Sequence, residues 1–155
     1  MGFSINGLIL ALLIFLPSFI MIIFPPYNSP VIKQKPMFLF IILERIGQTS
    51  CLLILIISKT SFQNQHVNLW FLLSVICIIY YYGLWIRYII KGRDFALLYN
   101  PVIIPIPMAV LPVLVFIFLA IWGTSLWLGL ACLIFATGHI IISWKTFKNI
   151  SIRSK

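Results

Sequence analysis

Residues 102–143 read VIIPIPMAVLPVLVFIFLAIWGTSLWLGLACLIFATGHIIIS and contain no Asp, Glu, Lys or Arg. One unbroken helix of that length would measure about 60 Å, roughly twice the hydrocarbon thickness of a bilayer. Gly123, Thr124 and Ser125 supply a turn at its centre, so the stretch predicts a tight hairpin of two helices, over 102–122 and 126–143. Pro101, Pro105, Pro107 and Pro112 crowd the first half. Each lacks a backbone donor and disfavours helix at the residue before it, so 101–107 is expected to be unwound or kinked. Irregular backbone at membrane depth requires cover from protein or water.

Three further apolar runs lie upstream, at 3–24, 37–58 and 69–90. Each is long enough to span about 30 Å of hydrocarbon. The expected fold is an all-α membrane protein: one polytopic bundle of five transmembrane helices over residues 1–155, the last two a hairpin. Composition agrees, since 63% of residues are hydrophobic and only 8% charged, with a mean hydropathy of +1.15. A soluble domain is roughly half apolar and a quarter charged. Met1 to Gly7 carries no Lys or Arg, and the first run ends at Pro25 and Pro26. It therefore reads as a retained span rather than a secretory signal.

Charge placement tests the topology independently. Five crossings put Lys33, Lys35, Arg87, Lys91, Arg93, Lys145, Lys148, Arg153 and Lys155 on one side and Lys59 on the other, with Arg45 inside a span. Basic residues gather on the cytoplasmic face, so the amino terminus is expected outside and the basic tail 145–155 in the cytoplasm. A re-entrant final hairpin in place of two crossings would return the tail to the same face. The net charge of +9 is read as topology and contact with anionic lipid heads rather than with nucleic acid. The tail is expected to lie along the inner leaflet as a short interfacial helix. The Ile-rich, Lys-containing composition is compatible with an AT-rich bacterial genome, and the bias of basic residues to one side with a plasma membrane.

Only two acidic residues exist, Glu44 and Asp94. Glu44 lies about 10 Å into the second span. A carboxylate at that depth must face protein or water, pair with a cation, or be protonated. Neighbouring Arg45 points about 100° away and can snorkel to the surface. On one face of this span Glu44, Gly47, Gln48 and Cys51 form a narrow polar seam. The last span repeats the pattern with Ser125, Gly129, Cys132, Ala136, His139 and Ser143 at spacings of three and four. Small residues so spaced allow close helix packing in lipid.

Opposite chain directions bring Glu44 and His139 to similar depth. The expected site is a polar pocket in the cytoplasmic half built from Glu44, Gln48, Tyr81, Arg87 and His139. Gly47, Cys51, Gly129, Cys132 and Ala136 are expected to pack the helices. A carboxylate with an imidazole can hold a cationic or hydrogen-bonding group or relay protons; a network that only fixes helix register is the competing reading. Cys51, Cys77 and Cys132 have no metal-binding spacing and read as small buried hydrophobes. No metal or cofactor motif is present, and no catalytic motif names a reaction. The expected function is non-enzymatic binding of a lipid, a small molecule or a membrane partner, with a homo-oligomer as one form of partner. The alternatives are a membrane enzyme acting on a lipid-like substrate and an oligomeric proton-coupled transporter.

Overall fold

Hydrocarbon offers the backbone no hydrogen-bond partners, so apolar runs must satisfy their amides internally, as helices. The structure, a computed structural model, describes residues 2–28, 37–63, 65–102 and 104–153, the last three by backbone alone. Its elements are α1 (Ile5–Ile23), α2 (Phe38–Ile57), a single turn α3 (Lys59–Phe62), α4 (Leu69–Ile90), a 3-10 turn (Phe95–Leu98), α5 (Pro107–Trp122) and α6 (Leu126–Arg153). Four of these, α1, α2, α4 and α6, are long and apolar enough to cross a membrane. Their outward faces expose large apolar side chains such as Ile22, Ile76, Ile90 and Leu126. A water-soluble monomer rarely shows such a surface; it fits an integral membrane protein.

Two elements differ from the sequence expectation. Helix α5 begins at Pro107 rather than at residue 102 and has 16 residues, about 24 Å of helix. Proline suits the first helical position, where its missing N–H is not needed, and the chain enters through Ile106 at a φ of 45°. Helix α6 does not stop near Ser143 but runs unbroken to Arg153. No proline or glycine follows Gly138, so nothing separates the basic tail from the span as an interfacial helix of its own. Lys33, Lys35 and Lys155, which entered the charge argument, lie outside the described residues.

Unpaired backbone groups explain several contacts between elements. Pro17 lies inside α1 and cannot donate to the Leu13 carbonyl one turn earlier. The Tyr82 hydroxyl of α4 donates to that carbonyl at 2.8 Å. The Tyr88 hydroxyl donates to the Phe24 carbonyl at the end of α1, at 3.0 Å. The last carbonyls of α2, which have no helical donors left, accept from the chain start: Gly2 N–H on Ile57 and Ser4 N–H on Ile56, both at 2.8 Å. At the same end Trp122 donates its indole N–H to the His66 carbonyl and packs on Phe62 and Phe71.

The opposite end carries the basic residues. There Gly92, at a φ of 85°, turns the chain out of α4, the role glycine fills at helix ends. Arg93 follows with its guanidinium 4.0 Å from the centre of the Tyr27 ring. Lys145 and Lys148 are exposed in the last turns of α6. In space α2 packs on α1 and α6, α4 packs on α1 and α5, and α5 packs on α6. The five long helices thereby enclose a central space.

Removing the Tyr82 hydroxyl tests the repair of the Pro17 gap. Tyr82→Phe leaves the Leu13 carbonyl without its donor and should lower stability by about 1–3 kcal/mol, read as a lower thermal midpoint in detergent. An unchanged midpoint would mean that water or lipid replaces the hydroxyl.

Candidate functional site

Glycine has no Cβ, so a glycine at a helix contact lets two backbones touch. Gly47 of α2 lies against the backbone of Phe135, and Gly138 of α6 lies against the Glu44 amide and the Phe40 carbonyl. A side chain at either position would overlap backbone atoms of the other helix. The two helices run antiparallel, and the seam continues through Cys51, Leu55, Leu128 and Cys132, all essentially inaccessible. The Cys132 thiol reaches across to the Val113 carbonyl of α5 at 3.5 Å, and Ala136 packs at the seam's edge.

This approach brings two polar side chains together. Glu44 Oε1 lies 2.6 Å from His139 Nδ1, and each side chain keeps 23% of its surface exposed. Phe135 stacks on the imidazole with ring centres 4.8 Å apart, and Phe116 meets Phe135 edge-on at 5.8 Å. The imidazole is thus held on one edge by a carboxylate and on one face by an aromatic ring. With Nδ1–H donated to Glu44, Nε2 is left as an acceptor; in the imidazolium both nitrogens donate. Nε2 has no protein partner among the described residues.

His139 opens onto a chamber between the helices. Its outer part, about 170 Å³, lies toward the basic end and is lined by Ser18, Tyr81, Trp85, Tyr99, His139 and Ser143 together with Met21, Leu98 and Met108. A deeper part of about 40 Å³ receives residues from all five long helices, including Gln48, Pro112 and Phe116. Ser18, Tyr81 and His139 line both parts. The Tyr81 hydroxyl lies near Ser18 and the Trp85 indole. Even so, the buried Trp85 N–H meets no acceptor in hydrogen-bonding geometry among the described residues. Tyr99, in the segment between α4 and α5, hydrogen-bonds Thr146. Burial, reinforced by the nearby Glu44 charge, outweighs that bond and pushes its phenol above the ordinary value, so it remains a neutral hydroxyl.

Glu44, Gln48, Tyr81 and His139 thus converge on one region. Arg87 does not join them: it lines neither part of the chamber and forms no ion pair among the described residues. Gly129 is also displaced from its expected role, because a Cβ there would meet nothing within 4 Å. The contact face of α6 passes instead through Leu128, Ala131, Phe135 and Gly138. Ser18, Trp85, Tyr99 and Gly138 take part without having been singled out in the sequence. Gly138 carried a signal in standing beside His139, three residues after Phe135; Trp85 and Tyr99 read equally well as aromatics of a membrane interface.

Among the described residues no group of three His, Cys, Asp or Glu side chains could hold a metal ion. The site offers instead hydroxyls, an imidazole backed by a carboxylate, and aromatic and aliphatic surface. These define a small helical membrane protein with a mainly apolar cleft between its helices that carries a few polar groups. The chain matches no protein-family model, no curated protein and no solved structure, so its geometry alone carries the functional argument.

Replacing Gly138 by Val forces a branched side chain into the α2 backbone and should reduce folded yield in detergent severely. Gly129→Ala has open space and should be neutral, or stabilising by up to about 1 kcal/mol through helix propensity. Equal loss in both variants would refute the placement of the contact face.

Proposed function

We propose that this chain is a multi-pass protein of a bacterial plasma membrane that binds a small molecule or a lipid headgroup in its central chamber without transforming it. One observation carries the reading. The Glu44–His139 pair is not sealed inside an apolar interface but opens on a cavity that Ser18, Tyr81 and Tyr99 also line. A pair that served only to fix helix register would need no such space beside it, because close packing normally fills a helix contact.

In this reading α5, with the irregular segment before it, completes a fifth crossing, and the basic end faces the cytoplasm. Arg87, Lys91, Arg93, Lys145 and Lys148 at that end, against Lys59 at the other, support the orientation. The chamber then opens toward the cytoplasmic half, and the basic rim contacts anionic lipid heads. A lining of hydroxyls, aromatic rings and apolar side chains around one imidazole favours binding over catalysis.

Native mass spectrometry of protein extracted from its own membrane checks the binding role. A bound small molecule or lipid should be present, and should be lost from Ala109→Trp, which fills the chamber wall. Glu44→Gln and His139→Ala should remain folded with reduced occupancy. Unfolding of both, with nothing bound to the parent protein, would make the pair structural.

Orientation has its own measurement. In a variant whose three cysteines are replaced, a thiol introduced by Gln65→Cys should react with an impermeant reagent on intact cells. A thiol introduced by Lys91→Cys should react only after permeabilisation. The reverse pattern would invert the topology.

A further inference from the structure

We propose that Arg45 of α2 holds the phosphate of a membrane phospholipid, in the leaflet at the basic end and outside the chamber. A count of anions comes first. The chain has only two acidic residues, Glu44 and Asp94. Glu44 meets His139, and Asp94 accepts from the Ala96 N–H in the 3-10 turn. No carboxylate pairs with Arg45 among the described residues, and residues 29–36, which lie outside them, contain no acid. No hydrogen bond or aromatic ring engages its guanidinium among the described residues either. The counter-ion must come from outside the chain.

Depth decides which anion that is. Arg45 lies about two turns, or about 10 Å, beyond Phe38 at the start of α2. It is exposed, and beside it Ile41, Ile42 and Ile46 expose apolar side chains to lipid. Arginine keeps its charge in proteins, and a charge among hydrocarbon is expensive without a partner. Helical side chains lean toward the amino terminus of their helix. The guanidinium is thereby carried back toward the start of α2, where Phe40 meets Gly138 near the basic end and phospholipid phosphates are the nearest anions. Its paired N–H donors match two phosphate oxygens. Ile46 and Leu53, exposed further along α2, suit the acyl chains. Arg45 lines neither part of the chamber, so this site stands or falls independently of the binding role proposed above.

Native mass spectrometry of the delipidated full chain in detergent tests the site with dioleoylphosphatidylglycerol, with dioleoylglycerol, which lacks the phosphate, and with inorganic phosphate. The phospholipid should add one molecule to the parent protein at least about tenfold more tightly than to Arg45→Gln, a change on an exposed face that should leave the fold intact. Arg45→Lys keeps the charge, loses the paired donors and should fall between them. Dioleoylglycerol should not distinguish the parent from Arg45→Gln, and inorganic phosphate should add to neither. His139→Ala, in the chamber, and Lys148→Gln, on the basic end, should bind the phospholipid as the parent does. Equal binding by the parent and Arg45→Gln would overturn the site. So would a loss in His139→Ala, which seats the lipid in the chamber, or an equal loss in Lys148→Gln, which makes the attraction diffuse. Inorganic phosphate bound as tightly as the phospholipid would overturn the lipid assignment in favour of the free anion. A dimer of the delipidated parent that Arg45→Gln abolishes would overturn it in favour of a protein partner.

Discussion

The contact between α2 and α6 is the constraint on which the rest depends. Lipid tails are as apolar as the side chains, so helices here associate through packing and hydrogen bonds rather than through expulsion of water. Gly47 and Gly138 allow the two backbones to meet, each helix supplying one glycine to the other. At that separation Glu44 reaches His139, and neither is left alone in hydrocarbon, where an unpaired charge is expensive. The glycines therefore set the distance, and the carboxylate–imidazole contact becomes affordable because of it.

The other contacts follow a common logic of repairing backbone groups that the sequence leaves open. Pro17 opens the Leu13 carbonyl and Tyr82 closes it. The end of α2 runs out of donors, and Gly2 and Ser4 provide them. These repairs tie α1 to α4 and α2 and so close the wall opposite α6. The chamber exists because the walls are held at their ends and along one seam, while the middle is lined by Tyr81, Pro112 and Phe116, residues too irregular in shape to fill it.

Much of this architecture was legible in the sequence, for reasons specific to membranes. Apolar length fixes helices where water is absent, so α1, α2 and α4 match the expected spans to within a few residues. The matching depth of Glu44 and His139 followed from rise per residue and chain direction. The phase of α6 was harder. Spacing by three and four selects a stripe equally well through Gly129 or through Leu128, Phe135 and Gly138, and only the partner decides which stripe is covered. Arg87 illustrates a different limit: depth placed it near the pocket, but its azimuth on α4 is independent of depth. Trp85 and Tyr81, four residues apart on the same helix, face the chamber instead. The unwound entry to α5 was foreseeable from its prolines, whereas the presence of Tyr99 in the chamber depends on how that entry folds back.

The unbroken course of α6 has a mechanical consequence. At about 42 Å this helix of 28 residues exceeds the hydrocarbon thickness, and its surplus carries Lys145 and Lys148 past the basic end. His139 and those lysines are fixed to one stiff rod with no joint between them. A tilt imposed on the exposed end, by lipid heads or by a partner, is therefore passed along the whole rod, and the close contact of Gly138 with α2 holds the imidazole nearest the point that moves least.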